Sequence, residues 1–322
     1  MKKILLTNKY DGLPLEIIRG QIPLGFDLCF LKEQTKTALL IEVIDADYIL
    51  AGGRLKISKE VLDKARKLKM IQRSGVGLDA LDLDAIKERN IPLYVNQGIN
   101  AESVAEHALL LMLACLRKLP TINQNTKNGI WKKQEQGVQT YELRGKTVGI
   151  IGMGNIAMTL VGLLKSFHVQ ILYNNLTQLQ SEFEAENNMR FVSIDELLGN
   201  SDIVTIHCAL TPETTNLINS DSIQQMKDGA ILINTARGEV VDPYSLADAL
   251  QVGKLSYAAL DVHTEEPLTA DYPLKAIDNI ILTPHIAGIT ADSFKTMMHD
   301  AFRNIECFDR GDLKAIELYR YL

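Results

Sequence analysis

Three side chains suited to acid–base chemistry follow short apolar runs in the second half of the sequence. Arg237, Glu266 and His285 each come within a few residues of the end of such a run. If the runs are strands of an open α/β sheet, these side chains lie at the edge where ligands of such sheets collect. There, an imidazole beside a carboxylate favours its protonated form and can deliver a proton, and a guanidinium can hold a substrate carboxylate. Alone, each residue is more often structural, so the interpretation depends on their joint placement.

A glycine loop in the middle of the chain predicts dinucleotide binding. The apolar run 147–151 leads directly into Gly-Met-Gly-Asn-Ile-Ala at 152–157, and a helical stretch follows. This is the G-x-G-x-x-G/A fingerprint in its strand–turn–helix context. Gly152 permits the tight turn, and Gly154 lets the backbone approach a pyrophosphate at the helix N-terminus. Ala157 is small enough for helix and strand to pack closely.

The adenosine end of this site departs from the NAD pattern. An acid is expected about 20 residues after the glycine loop, where it binds the ribose hydroxyls. The sequence has Tyr173, Asn174 and Asn175 there, and the stretch 174–180 contains no Arg or Lys. Asn174 can still bind the ribose through its amide, but it does not repel a 2′-phosphate. We therefore expect NAD to be the cofactor, with NADP also accepted.

Composition excludes several classes of protein. The formal net charge is −6, and no Lys/Arg block is available to replace the counterions of DNA. The longest apolar run, 108–116, is shorter than the roughly 20 residues of a membrane-spanning helix. The N-terminus lacks the core of a signal peptide, and the four cysteines are scattered without metal-ligand spacing. We expect a cytoplasmic protein without a metal, nucleic-acid or membrane partner.

Strand-like and helix-like stretches alternate along the chain, which predicts parallel sheets with helices on both faces. A long apolar helix is expected over 101–119, with Asn100 as its N-cap and Pro120 at its end. The polar stretch 123–139 around Trp131 is then either an arm that packs on a partner subunit or a surface loop. Predicted strands are 2–6, 46–50, 70–73, 91–95, 147–151, 169–173, 203–207, 230–234, 257–261 and 280–282.

Over nearly its whole length, the sequence resembles the D-isomer-specific 2-hydroxyacid dehydrogenases. This family includes phosphoglycerate and glyoxylate/hydroxypyruvate dehydrogenases. The resemblance rests on ordered motifs at 74–79, 100–106, 152–157, 234–238, 261–267 and 284–285.

The resemblance implies a fold of two doubly wound parallel-sheet domains. A Rossmann NAD(P)-binding domain, residues 100–289, would be inserted in a flavodoxin-like substrate domain, residues 1–99 and 290–322. The two crossings between the domains would act as hinges for closure on ligand. We also expect a homodimer built on the 101–119 helix and the Trp131 segment.

The resemblance also implies roles for individual residues. The catalytic set would be Arg237, Glu266 and His285. The substrate would be bound by Ser74, Gly75, Val76, Gly77, Asn100 and Arg237. The cofactor would be bound by Val104, Gly152, Gly154, Asn155, Ile156, Asn174, Thr235, Ala236, Arg237, Asp261, His285 and Gly288. In the implied reaction, a nicotinamide exchanges hydride with C2 of a small D-2-hydroxy or 2-keto acid while His285 exchanges the proton.

Several alternatives stay open at this level. A nucleotide-sensing protein or corepressor could use the same fold without turnover, although the intact Arg–Glu–His set argues against it. Formate enzymes of the superfamily pair the histidine with glutamine, so Glu266 argues against formate, whereas phosphite is open. Because the sequence ends at Leu322, we expect the short form rather than the long serine-regulated phosphoglycerate enzyme. His207, at a strand end, would be a neighbour of the site rather than a catalytic residue.

Overall fold

The computed structural model describes residues 1–53 and 55–322, and over these residues it contains twelve strands and thirteen α-helices. The strands are β1 Lys2–Leu6, β2 Phe26–Phe30, β3 Tyr48–Ala51, β4 Met70–Arg73, β5 Leu93–Val95, β6 Thr147–Ile151, β7 Gln170–Asn174, β8 Met189–Phe191, β9 Ile203–Ile206, β10 Ala230–Asn234, β11 Leu255–Leu260 and β12 Ile280–Leu282. The helices are α1 Gly12–Arg19, α2 Lys36–Glu42, α3 Lys59–Lys64, α4 Leu83–Glu88, α5 Ala101–Leu116, α6 Leu119–Lys127, α7 Lys133–Gly137, α8 Asn155–Leu164, α9 Ser181–Glu186, α10 Ile194–Asn200, α11 Ser220–Gln225, α12 Pro243–Gln251 and α13 Ala291–Arg310.

The chain divides into two compact units, each built on its own parallel sheet. Unit 1 comprises Met1–Asn100 and Ile289–Leu322, and unit 2 comprises Ala101–Gly288. Unit 2 is therefore an insertion in the chain of unit 1.

The sheet of unit 1 has the order β2-β1-β3-β4-β5, which is the flavodoxin-like arrangement. Its strands bury side chains on both faces. In β1, Ile4 and Leu6 join one hydrophobic cluster while Leu5 joins the other, because successive residues of a strand point to opposite faces. Helix α13 covers one face with Phe294, Phe302 and neighbouring apolar side chains.

The sheet of unit 2 has the order β12-β11-β10-β9-β6-β7-β8, which contains the Rossmann order about β6. All of its strand pairs are parallel. On β10, Leu232 packs into the cluster on one face and Ile233 into the cluster on the other. Together the two sheets confirm the predicted fold class.

Some predicted boundaries were wrong. The helix expected over 101–119 ends at Leu116, because Lys118 adopts a left-handed conformation with φ 47°. Pro120 lies in the first turn of α6 rather than ending a helix, which is a position where its missing N–H costs nothing. The stretch 123–139 contains most of α6 and all of α7, so it is not a loop. That it is an arm that packs on a partner subunit stays a prediction. Strands β2 and β8 were not predicted.

Two further findings concern the whole described chain, residues 1–53 and 55–322. None of its helices combines the length and apolarity needed to cross a membrane. The cysteines Cys29, Cys115, Cys208 and Cys307 are free thiols.

The close packing of β6 against α10 generates a stability prediction. A Cβ at Gly149 would lie 2.6 Å from Leu197 Cδ2 and would also overlap Ser201 Oγ. We expect Gly149→Ala to lower the free energy of unfolding by about 1–3 kcal/mol, because α10 must move. The matched control is Gly162→Ala on α8, where no atom lies within 4 Å and helix propensity should add up to about 1 kcal/mol. Urea unfolding checks both values, and an unchanged Gly149→Ala midpoint would contradict the packing.

Candidate active site

The glycine loop joins β6 to α8 with the geometry that a dinucleotide requires. Gly152 has φ 89°, and a Cβ there would lie 2.6 Å from Cys208 Cα, so only glycine fits. A Cβ at Gly154 would meet nothing within 4 Å, which leaves open space above the loop. The N-cap residue of α8 is Gly154, which has no side chain to cap the helix. Its first N–H groups, which include those of Asn155 and Ile156, therefore suit a pyrophosphate.

Two asparagines follow β7, and their side chains bind different groups. Asn174 Nδ2 donates to the carbonyl oxygen of Val192 at 2.8 Å. Asn175 Oδ1 accepts a hydrogen bond of 3.2 Å from the backbone N–H of Met153, within the glycine loop. Asn175 is therefore the asparagine whose side chain contacts the glycine loop. That Asn174 binds the ribose stays a prediction.

Arg237 follows a turn that Asn234 holds at both ends. The Asn234 side chain is 1% exposed; its Oδ1 accepts from Ala236 N at 2.9 Å and its Nδ2 donates to Arg237 O at 2.8 Å. Arg237 Nη1 donates to Ala236 O at 2.7 Å. Thr235 Oγ1 is buried and has no hydrogen-bond partner within residues 1–53 and 55–322. The positioning role of Asn234 was not predicted from sequence.

His285 and Glu266 form a hydrogen-bonded pair. His285 Nδ1 lies 2.9 Å from Glu266 Oε2, and the two side chains are 41% and 18% exposed. Because the carboxylate accepts, Nδ1 carries a hydrogen, and Nε2 is the nitrogen left to exchange a proton with a ligand. The other carboxylate oxygen, Oε1, accepts from the backbone N–H of His263 at 3.0 Å. Glu266 is thus fixed from two sides.

The turn that carries His285 is held by a fully buried carboxylate. Asp261 is 0% exposed, and its Oδ1 accepts from Thr283 Oγ1 at 2.6 Å and from Ile286 N at 2.9 Å. Its Oδ2 accepts from Ala287 N at 2.8 Å. His285 itself has φ 57°, a left-handed conformation that is uncommon for a non-glycine residue.

Two other histidines of unit 2 stand outside this pair. His207 bonds Thr205 Oγ1 through Nε2 at 2.9 Å, and burial lowers the pKa of His207 to about 4, so its ring is neutral at pH 7. His107 on α5 has Nε2 3.3 Å from Thr283 Oγ1. Because the Thr283 hydroxyl donates to Asp261, the His107 ring is the donor in that contact. This role was not predicted from the sequence.

In unit 1, the glycine loop after β4 is held by Arg73. Arg73 Nε donates to Gly77 O at 2.7 Å, and Nη2 donates to Gly53 O at 3.0 Å. The Ser74 hydroxyl donates to Ala51 O at 3.2 Å, and a Cβ at Gly75 would meet nothing within 4 Å. Val76 lies between the two glycines and is partly exposed.

The remaining predicted residues lie at the ends of the two units. Asn100 Oδ1 is buried and accepts no hydrogen bond from any described residue, so it does not cap α5 as expected. Val104 on α5 is 4% exposed, and Gly288 is the last residue of unit 2.

Known proteins are similar to this chain in both sequence and fold. A family model described as "D-isomer specific 2-hydroxyacid dehydrogenase, NAD binding domain" matches residues 109–287. A D-3-phosphoglycerate dehydrogenase of Archaeoglobus fulgidus is 38% identical over 293 residues, which are 90% of this chain and 54% of that protein. A glyoxylate reductase of Thermofilum pendens is 38% identical over 281 residues, which are 87% of this chain and 83% of that protein.

The solved structures agree with these matches. A D-lactate dehydrogenase of Aquifex aeolicus, crystallised with NAD and lactic acid, superposes with a TM-score of 0.87 at 29% identity. The match covers 99% of this chain and 98% of that one. With the NAD-binding model matched over more than half of the sequence, the chain belongs to the D-isomer specific 2-hydroxyacid dehydrogenases, a family of NAD-dependent oxidoreductases.

Proposed function

We propose that this protein interconverts a small 2-keto acid and its D-2-hydroxy acid, with Arg237, Glu266 and His285 as the catalytic residues. The observation that carries the proposal is the 2.9 Å contact between His285 Nδ1 and Glu266 Oε2 at the C-terminal edge of a Rossmann sheet. Reduction would consume NADH, one proton and the keto acid, and would release NAD⁺ and the hydroxy acid.

Unit 2 is the proposed cofactor domain, and its residues fit a dinucleotide. The open space above Gly154 and the uncapped N-terminus of α8 would accept the pyrophosphate. The buried, unpaired hydroxyl of Thr235 would gain a partner from the bound cofactor. When bound, the nicotinamide supplies or accepts the hydride. The other residues proposed for this site are Val104, Asn155, Ile156, Asn174, Ala236, Arg237, Asp261, His285 and Gly288.

His285 would be the general acid in reduction and the general base in oxidation. Its Nε2 is the proton-exchanging nitrogen, because Nδ1 is bound to Glu266. The Glu266 carboxylate would stabilise the imidazolium and keep the ring in one orientation. Arg237 would hold the substrate carboxylate and polarise the carbonyl with its planar guanidinium.

Unit 1 is the proposed substrate domain. The backbone N–H groups of Gly75, Val76 and Gly77 would bind the substrate carboxylate, with Ser74 beside them. The bonds from Arg73 to Gly53 and Gly77 support this proposal, because they fix the loop without using its N–H groups. The buried Oδ1 of Asn100 would accept a hydrogen bond from the substrate.

Relatives that are named glyoxylate reductase, hydroxypyruvate reductase and D-3-phosphoglycerate dehydrogenase support a proposal for the substrate class. We propose that glyoxylate, hydroxypyruvate or 3-phosphohydroxypyruvate is the keto acid. The test is NADH oxidation with these three compounds and 2-ketoisocaproate. Turnover of at least one of the first three is expected, whereas no turnover of any would favour a sensing protein that binds NAD without catalysis.

The proposed roles predict which variants lose turnover. His285→Ala should lose about 10²–10⁴ in kcat, because the proton donor is gone, while NADH still binds. Arg237→Ala should raise KM for the keto acid as well as lower kcat, because it removes a substrate contact. The matched control is His299→Ala on the exposed side of α13, which should leave both constants unchanged. Near wild-type kcat in His285→Ala would contradict the mechanism.

Cofactor choice generates a second prediction. We expect wild-type enzyme to use both cofactors with a moderate preference for NADH, because neither asparagine repels a 2′-phosphate. Asn174→Asp should raise the NADH-over-NADPH ratio of kcat/KM by about tenfold or more, which equals about 1.4 kcal/mol of discrimination. Asn175→Asp should have a smaller effect, because the Asn175 side chain is bound to the backbone of Met153 and of Thr177. The opposite ranking would assign the ribose to Asn175, and a wild-type NADPH preference above about a hundredfold would refute both assignments.

We also propose a homodimer built on α5, α6 and α7. Six large apolar side chains of the 110–141 segment are exposed, including Trp131 at 81%. Such a concentration is unusual for a free surface and typical of an interface. The exposed side chains are Leu110, Leu119, Ile130, Trp131, Val138 and Tyr141.

The dimer predicts a change of mass in solution. The double variant Trp131→Ser, Val138→Ser should sediment as a monomer at micromolar concentration, where the wild type sediments as a dimer. The control Leu24→Ser removes an apolar side chain outside the segment that is even more exposed, at 98%, and this variant should remain dimeric. A wild type that sediments as a monomer would contradict the proposed dimer.

A further inference from the structure

We infer that His263 is a positioning residue that fixes Glu266 and the His285 turn, and that its ring N–H is required for full turnover. The inference rests on the proposed function, because it concerns the same proton-transfer pair. His263 is only 2% exposed, so we do not assign it a direct contact with the substrate.

The ring of His263 binds the start of the His285 turn. His263 Nε2 lies 2.9 Å from the carbonyl oxygen of Thr283. A carbonyl oxygen only accepts, so Nε2 carries the hydrogen in this contact. The same oxygen accepts the backbone N–H of His285 at 3.0 Å. One carbonyl therefore binds both the His263 ring and the backbone of His285, using its two lone pairs.

The backbone of His263 binds the other half of the pair. Its N–H donates to Glu266 Oε1 at 3.0 Å, on the carboxylate whose Oε2 contacts His285. A single residue is thus hydrogen-bonded to Glu266 through its main chain and to the His285 turn through its ring. The distance between Glu266 and His285 therefore depends on the position of His263.

His263 is in turn held by its own surroundings. A Cβ at Gly238 would overlap the carbonyl group of His263, so the residue after Arg237 packs directly on this backbone. On the other side, the ring meets the Tyr272 ring edge to face, with centroids 5.7 Å apart. His263 therefore lies between the segment that follows Arg237, the Glu266 carboxylate and the His285 turn.

Removing only the ring donor tests this role. His263→Phe keeps an aromatic ring against Tyr272 and the backbone bond to Glu266, but it removes the bond to Thr283. His263→Gln places an amide nitrogen near the position of Nε2 and restores a donor. His299→Phe on the surface of α13 is the matched histidine control.

We expect His263→Phe to lower kcat for keto-acid reduction tenfold or more, because small misplacements of a catalytic group cost up to about a hundredfold. KM and the Kd for NADH should stay within about twofold, and the solvent deuterium isotope effect on kcat should rise as proton transfer becomes limiting. His263→Gln should recover most of the rate. A His263→Phe kcat within about threefold of wild type would overturn the inference. So would parallel losses of kcat, NADH binding and Tm in both variants.

A second readout does not depend on turnover. In ¹⁵N NMR spectra of the protein without cofactor, the His285 ring signals should shift in His263→Phe and return in His263→Gln. Unchanged His285 signals in His263→Phe would also overturn the inference. If the wild type turns over no keto acid while these signals still shift, the proposed function fails but the positioning role stands.

Discussion

The site of unit 2 depends on the hydrogen bonds that the buried carboxylate of Asp261 accepts. A carboxylate that is 0% exposed is costly unless hydrogen bonds replace its lost water, and here the Thr283 hydroxyl and the N–H groups of Ile286 and Ala287 do so. Each such bond to a charged acceptor contributes about 1.5–3 kcal/mol, enough to hold His285 in its left-handed conformation. The hydrogen bonds that compensate for the burial of the Asp261 carboxylate therefore also fix the position of the His285 imidazole.

Around this carboxylate, the site is organised in successive contacts. Asp261 fixes the His285 turn, His263 joins that turn to Glu266, and Glu266 orients the imidazole. Asn234 plays a comparable part for Arg237 on the neighbouring strand end. The proposed catalytic residues each follow a strand of the sheet. Buried Asn234 holds the turn that carries Arg237, and buried Asp261 holds the turn that carries His285.

Much of the fold, and the positions of the proposed catalytic residues, could be predicted from the sequence. Strands β6, β10 and β12 were predicted with their observed ends, because continuous apolar runs bounded by polar residues leave few alternatives. Strand β2 was missed because the exposed, charged Asp27 interrupts its apolar run. The break between α5 and α6 depends on the backbone of Lys118. The Arg237, Glu266 and His285 positions were chosen from strand ends and family motifs. His263, Asn234 and Asn175 were not, because their roles arise from hydrogen bonds between segments distant in sequence or from the direction of one side chain.

The central claim is that the Glu266 carboxylate supports proton transfer by His285 during reduction. The most direct measurement is kcat for keto-acid reduction by the wild type and by Glu266→Gln, with exposed Glu265→Gln as the control. The glutamine keeps an acceptor for His285 Nδ1 but removes the charge. We expect kcat to fall by about tenfold or more in Glu266→Gln, because proton transfer loses its charged partner, and to stay unchanged in Glu265→Gln. An unchanged kcat in Glu266→Gln would contradict the claim.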